Sequence, residues 1–216
     1  MNRVKHFIVL AASVIWMPAV SSAQKNMVRD ADYFPRSEVY VQYGTPSVIE
    51  LSTTLNSEYK SVGYDGDSRN FKFSGIAAFG YSFFILPNFS VGVDGGFGYA
   101  SADMYITDSE LVPISDPVFV CRSEIKSWSA HLSASYTYWQ QGPMECSGAL
   151  YLGITYQDET IVDGDTGYFV PEPNDRLRFS YHITAVKFRY GETVGGFAEL
   201  GFGYRGLLNI GLSIKI

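Results

Sequence analysis

His131, Ser133 and Glu145 are the residues whose types invite a catalytic reading. A histidine that takes a serine proton, oriented by a carboxylate, is the apparatus of nucleophilic acyl transfer. Alternation along the segment turns His131 and Ser133 together onto a face of small polar residues, while Glu145 falls in a short turn away from them. A histidine among serines is therefore the plainer reading. Asp65-Gly66-Asp67 and Asp163-Gly164-Asp165 offer the hard oxygens that calcium takes, but neither continues into a full calcium-loop pattern. Asp and Gly are also ordinary turn residues, and no metal or cofactor is expected. Asn88-Phe89-Ser90 matches a glycosylation sequon but sits in a tight turn and is set aside. The largest constellation is ionic: Glu38, Lys72, Asp94, Lys187, Arg189, Glu199, Arg205 and Lys215 share one strand face by parity. Charges enclosed in a narrow interior must pair or stay wet. They read as a fixed plug, with a gated channel as the alternative.

The elements that position these residues are strands. Residues 1–23 come first: Arg3 and Lys5, an apolar run from Phe7 to Val20, and Ser21-Ser22-Ala23 have the layout of a secretory signal peptide. Its removal leaves 14 basic against 22 acidic residues, a net charge of −8, which disfavours nucleic acid as a partner. Residues 24–37 form a short N-terminal segment. From 38 to 216 the chain is one domain with period-2 alternation almost throughout. Eight strands are expected, at about 38–44, 71–85, 89–102, 124–139, 147–157, 179–190, 196–204 and 207–216. One face is oily, as in Trp128, Ala130, Leu132, Ala134, Tyr136; the other is small and polar, as in Ser127, Ser129, His131, Ser133, Ser135. On the sixth strand, Ile183, Ala185, Lys187 and Arg189 share a face by the same parity.

Tyr99, Trp128, Tyr156 and Tyr204 fall near one end of the strands, and Tyr81, Phe89, Tyr138 and Tyr190 near the other. Amphipathic rings at two levels are the girdle of a membrane barrel. An eight-stranded barrel has room inside only for filling side chains, so the bulky face must point outward. The expected fold is all-β, an eight-stranded antiparallel transmembrane up-and-down β-barrel. The connections 45–70, 103–123 and 158–178 are long, and those at 86–88, 140–146 and 191–195 are short, which matches long external loops and short periplasmic turns; the last external connection, 205–206, is the short exception. Thr45 as N-cap and Pro46 at the first helical position begin an expected amphipathic helix over 46–57. Cys121 falls in an external loop and Cys146 at the opposite end of a strand, too far apart for a disulfide.

The end of the chain, Asn209-Ile210-Gly211-Leu212-Ser213-Ile214-Lys215-Ile216, resembles the C-terminal assembly signal of the small eight-stranded outer-membrane barrels of Gram-negative bacteria, of the OmpA, OmpX and OmpW kind. In that pattern Asn209, Gly211, Ile214 and Ile216 take the signature positions, with Ile216 where an aromatic is commoner. The penultimate strand, Glu199 to Tyr204, is similar to the group described simply as outer membrane beta-barrel proteins. The resemblance implies location in the outer membrane, contact with its lipids, and handling by the barrel-assembly machinery. The His131–Ser133–Glu145 set resembles the residues of outer-membrane lipid A deacylases, but its flanking residues differ. These families are functionally mixed, so the fold names no ligand. The expected role is non-enzymatic, in envelope integrity or in recognition of an extracellular ligand through loops 45–70, 103–123 and 158–178, whose aromatics include Tyr59, Tyr64, Tyr105, Phe119, Tyr168 and Phe169. The alternative is a narrow, porin-like conduit for small or hydrophobic solutes.

Overall fold

A computed structural model describes residues 36–48, 50–51, 58–61, 64–109, 116–162 and 176–216. The signal-peptide segment, Asp163-Gly164-Asp165, Tyr168 and Phe169 lie outside the described residues. Among the described residues there are nine strands: β1 (Ser37–Thr45), β2 (Glu58–Ser61), β3 (Tyr64–Leu86), β4 (Phe89–Ser109), β5 (Val118–Gln141), β6 (Met144–Val162), β7 (Arg176–Tyr190), β8 (Val194–Gly203) and β9 (Leu208–Lys215). All but β2 form an antiparallel, up-and-down ring of eight. It closes because β1 pairs with β9 on one edge and with β3 on the other. At the closing rim Arg36 N donates to Ile216 O at 2.8 Å, and Ile216 N donates to Ser37 O at 2.8 Å. No edge of the ring is left unpaired along its whole length, which removes the usual hazard of an open sheet.

The burial alternates with the pleat, as in β1 and β8, where every second residue is enclosed. The enclosed side is polar and the exposed side apolar. Ser82, Ser90, Asp94, Ser127, His131 and Thr137 are buried, while Phe79, Leu132 and Phe179 on the outside are 68%, 70% and 71% exposed. That is the reverse of a water-soluble core.

Three local irregularities alter the simple parity reading. Gly75 has φ +69°, a left-handed conformation that favours glycine, and the β3–β4 register shifts between Phe73 and Ile76. Parity inverts there, so Ile76 and Ala78 face inward while Lys72 is exposed. Lys72 therefore does not belong to the interior ion set. A second shift falls between Thr184 and Val186. It turns Ile183 outward and buries His182 and Thr184, whereas uniform alternation puts Ile183 and Ala185 inside. The third is at the end of β8. Gly203 has φ +143°, and the chain then drops Tyr204 into the interior, where it is 4% exposed. Tyr204 is thus not part of an outer girdle. Of the other girdle residues, Tyr81, Trp128, Tyr156 and Tyr190 are exposed, and Phe89, Tyr99 and Tyr138 are half-buried.

The long connections are also shorter than their sequence suggests, because pairing continues past the ring. β3 to β6 have 23, 21, 24 and 19 residues, against 9, 10 and 8 in β1, β8 and β9. Much of 64–70, 103–123 and 158–162 is therefore strand. Beyond Trp128, the ten residues back to Val118 carry β5 about 25 Å further, at ~3.4 Å per residue and ~40° tilt. Asp65-Gly66-Asp67 lies in this strand extension, paired with both β2 and β4, and is not a turn. Cys121 likewise lies in β5, buried beside Met104 and Val120, and both cysteines are free.

A helical turn around 48–51 follows β1, with Leu51 N donating to Ser47 O at 2.9 Å. Ser47, not Thr45, is its cap. Glu50 N donates to Ser47 Oγ at 3.2 Å and Ser47 N donates back to Glu50 Oε2, the reciprocal bonds of a capping box. The second Glu50 oxygen accepts from Gly75 N at 3.0 Å, which ties this turn to the irregularity in β3.

Candidate functional site

Register brings the interior charges together in two clusters. The lower one sits near the closing rim. Glu38 lies opposite Lys215 across β1–β9, and Lys187 opposite Glu199 across β7–β8. Lys215 Nζ donates to Glu145 at 2.6 and 2.5 Å, and Lys187 Nζ lies 3.5 Å from Glu38 Oε1. Arg189 Nε donates to Ser213 Oγ at 2.7 Å and stands 3.7 Å from Glu38. Glu145 is therefore an interior residue at the start of β6. The turn between β5 and β6 is only Gly142-Pro143, so the pleat already governs position 145.

The upper cluster is larger and contains residues that parity alone did not select. Glu199 accepts from His182 Nε2 at 2.8 Å and from Asn209 Nδ2 at 3.4 Å. Arg205 Nη2 is 3.9 Å from its other oxygen, and the guanidinium lies 4.2 Å from the Tyr151 ring centroid. A cation over an aromatic face is stabilised by the ring quadrupole. Glu199, Arg205, His182 and Asn209 are each no more than 1% exposed, so the cross-section here is filled. Tyr40, Tyr151, Tyr204 and Phe197 fill it alongside the small residues.

Beside this plug, Asp94 and His131 lie directly opposite one another across β4–β5. Their Oδ1 and Nδ1 atoms are 3.9 Å apart, and among the described residues neither atom has a hydrogen-bond partner. Asp94 Oδ2 accepts from Tyr40 OH at 2.9 Å. On its other side His131 Nε2 lies 2.6 Å from Ser180 Oγ, which accepts from Thr155 Oγ1 at 2.9 Å. The His131 ring stacks on Tyr204, centroids 3.6 Å apart. The hydroxyl partner of His131 is thus Ser180 and not Ser133, and Glu145 is engaged by Lys215. Among the described residues no group of three His, Cys, Asp or Glu side chains is arranged to hold a metal.

The strand extensions form a wall above one side of the ring. Asp103 Oδ1 accepts from Arg122 Nε at 2.6 Å and Oδ2 from Asn70 at 3.1 Å. The Arg122 hydrogen bond, more than the opposing cost of burial, holds the Asp103 carboxyl below the ordinary aspartate range. Tyr105 and Phe119 pair edge-to-face at 5.7 Å, with Arg69 5.3 Å from the Tyr105 ring. Ser123 Oγ donates to Glu159 at 2.6 Å.

The chain matches no family model and no curated protein.

The C-terminal signature residues all lie in or beside β9. Asn209 is fully buried against Glu199, while Ile214 and Ile216 are exposed on the outer face. His182, Ser180 and Thr155 are the site residues that sequence reasoning missed, and Glu145, expected in a turn, is an interior ion-pair residue instead. A signal for His182 was present in its spacing from Thr184, but the shift at Ala185 hid it. Ser180 carried no local signal at all, because it meets His131 across 49 residues.

Proposed function

We propose that this protein is an integral outer-membrane barrel with a plugged interior, exported by its N-terminal signal, whose role is exerted at the membrane surface and by the wall of extended strands. The observation that carries the reading is the inverted burial: a continuous apolar exterior around an ionic interior. Large exposed apolar surfaces mark contact with something other than water, and lipid accepts strands that pair around a closed ring. The height fits as well. From Trp128 to Trp139 the exposed face of β5 spans about 28 Å, at ~3.4 Å per residue and ~40° tilt, near the ~25 Å apolar band of such barrels.

The wall supports recognition of an extracellular partner, because it offers aromatic and charged groups on paired strands in place of mobile loops. A porin-like conduit is disfavoured by Arg205, Tyr204 and Glu199 occupying the interior. The test is insertion of the refolded chain into phospholipid vesicles, read by different gel migration before and after boiling. Identical migration and full protease digestion in vesicles would remove the membrane reading. Steady wild-type conductance in planar bilayers would remove the plug.

A further inference from the structure

The ring is notched on one side. Pairing of β7 with β8 ends at His182 and Gly203, yet β7 runs on to Arg176. Tyr204 N makes one more bond, to Tyr181 O at 3.1 Å, and the chain then turns inward. Among the described residues, Arg176 to Ser180 therefore have no ladder partner on that side. A cavity of about 180 Å³ lies at the notch. Thr155, Ser180 and Tyr204 line it beside His131, and Val48, Phe179 and Tyr181 line it together with the polar Gln157 and Arg178. Ser180 is thus both the hydroxyl bound to His131 and part of a cavity wall.

The hydrogen bonds accommodate the His131 tautomer that accepts at Nε2. Thr155 Oγ1 donates to Ser180 Oγ, which leaves the serine proton to point at His131 Nε2. A neutral imidazole that accepts at Nε2 carries its own proton on Nδ1. That atom faces Asp94 Oδ1, an acceptor with no other partner, while Tyr40 holds the second Asp94 oxygen. At 3.9 Å the Asp94–His131 contact is about 1 Å longer than a hydrogen bond. Such contacts are often long without substrate and tighten when it binds. Two buried polar atoms facing each other unpaired are otherwise costly.

We propose that Ser180 is the nucleophile of a serine hydrolase site, with His131 as general base and Asp94 as its positioning residue, acting on a long-chain acyl ester that enters through the notch. Ser180 Oγ attacks the ester carbonyl carbon and its proton passes to His131 Nε2. The carbonyl–alkoxy bond breaks, and the alcohol leaves with that proton. Water then attacks the acyl-serine, gives a proton to His131, and the acid departs as Ser180 regains its hydrogen. The net change is ester plus water to acid plus alcohol. Thr155, Gln157 and Arg178 on the cavity wall are the side-chain donors available to a developing oxyanion. Phe179 and Tyr181, 71% and 38% exposed, give the acyl chain an apolar lane. This activity goes beyond the non-enzymatic role expected from sequence, and side entry from lipid rests on the membrane reading above.

The test uses the full refolded chain in detergent and in phosphatidylcholine vesicles, with an alkyl fluorophosphonate and a series of p-nitrophenyl esters. Covalent label is expected on Ser180 by peptide mass mapping. Labelling should fall at least about 100-fold in Ser180→Ala and in His131→Phe, the second keeping the ring stack on Tyr204. Asp94→Asn should slow it and also change its pH profile, which a purely structural role would leave alone. Each variant's boiled and unboiled migration reports whether it has folded. Folded wild type without label on Ser180 overturns the proposal, as does labelling that His131→Phe leaves unchanged. Label on Ser180 in a chain that does not enter vesicles keeps the nucleophile and removes the membrane reading. Insertion without label does the opposite.

Discussion

Glu199→Gln should destabilise this ring severely while barely changing its shape. Glu199 is the one carboxylate within 4 Å of the Arg205 guanidinium among the described residues, and both side chains are sealed from solvent. The amide keeps the size of the carboxylate but removes the charge, so Arg205 loses its counter-ion within 4 Å and keeps the more distant Asp94. Breaking a buried pair by removing one partner costs about 3–5 kcal/mol. The Tyr151 ring, 4.2 Å from the guanidinium, is in place in both proteins, so its attraction for the cation largely cancels in the difference. The amide keeps an oxygen that can still accept a hydrogen bond, so the lower figure of about 3 kcal/mol is the better expectation. It corresponds to about 150-fold in the folding equilibrium. With a urea dependence of about 1–3 kcal/mol per molar, the midpoint should fall by at least about 1 M.

Urea titration in lipid vesicles, read by the folded and unfolded gel bands, measures this directly. The decisive arm is the double variant. Arg205→Met alone leaves Glu199 with His182 and Asn209 but without its cation, and should also destabilise. Combining Glu199→Gln with Arg205→Met removes both charges together and should restore most of the lost stability, since a buried pair exchanged for neutral groups is often neutral or better. Additivity of the two single effects within about 0.5 kcal/mol would refute the pairing. It would mean that each charge is solvated independently in a wet interior.

Three further outcomes are expected. Gly75→Val places a β-branched side chain at φ +69° and drives it into the Tyr43 ring, so folding yield should drop and stability fall by about 2 kcal/mol or more, checked by the same titration. Asp103→Asn should loosen the wall. Because Arg122 depresses the Asp103 pKa, that ion pair stabilises above the unfolded value near 3.8 and is lost as pH falls through the folded value, so limited proteolysis of the wild-type hairpin should accelerate only in that acid range and the variant should lack this step. Mass mapping without reductant should find Cys121 and Cys146 unbridged to one another, since they sit toward opposite ends of their strands.

Most of the strand order was legible because a face-alternating ring imposes the same period on every strand. What was not legible is where that period breaks. Gly75 inverts the parity of β3 because Glu50, 25 residues earlier, takes its amide, and a contact of that range leaves no mark in local alternation. Lys72 was misplaced for that reason. The shift at Ala185 did the same to His182. Sequence alone gives loops for the wall because 103–123 is rich in Asp, Ser and Pro, and these weigh toward turns until a partner strand is available. Ser180 shows a different limit. It lies on β7 and His131 on β5, strands separated by β6, so neither pattern nor pairing predicts their contact.

The low side of the ring and its filled interior have one origin. β8 and β9 are short because the chain leaves the ladder at Gly203 and returns at Leu208. The residues between are where Tyr204 and Arg205 come from, and both are buried within the ring. Leu207 N donates to Pro46 O at 2.9 Å and Asn209 Nδ2 to Gly206 O at 3.3 Å, so the turn is fastened to the end of β1 as well as to its own strand. Had β8 continued to match β7, the notch would close, but Tyr204 would alternate out of the interior and His131 would lose the ring it stacks on. The same four residues, 204–207, thus block the interior and open the side. A ring plugged in this way is poorly suited to conduct along its axis, and any chemistry at His131 must be reached laterally. An inserted, non-conducting protein whose Ser180 is labelled by an alkyl probe in vesicles would agree with that geometry; labelling only after the interior is opened by Arg205→Ala would contradict it.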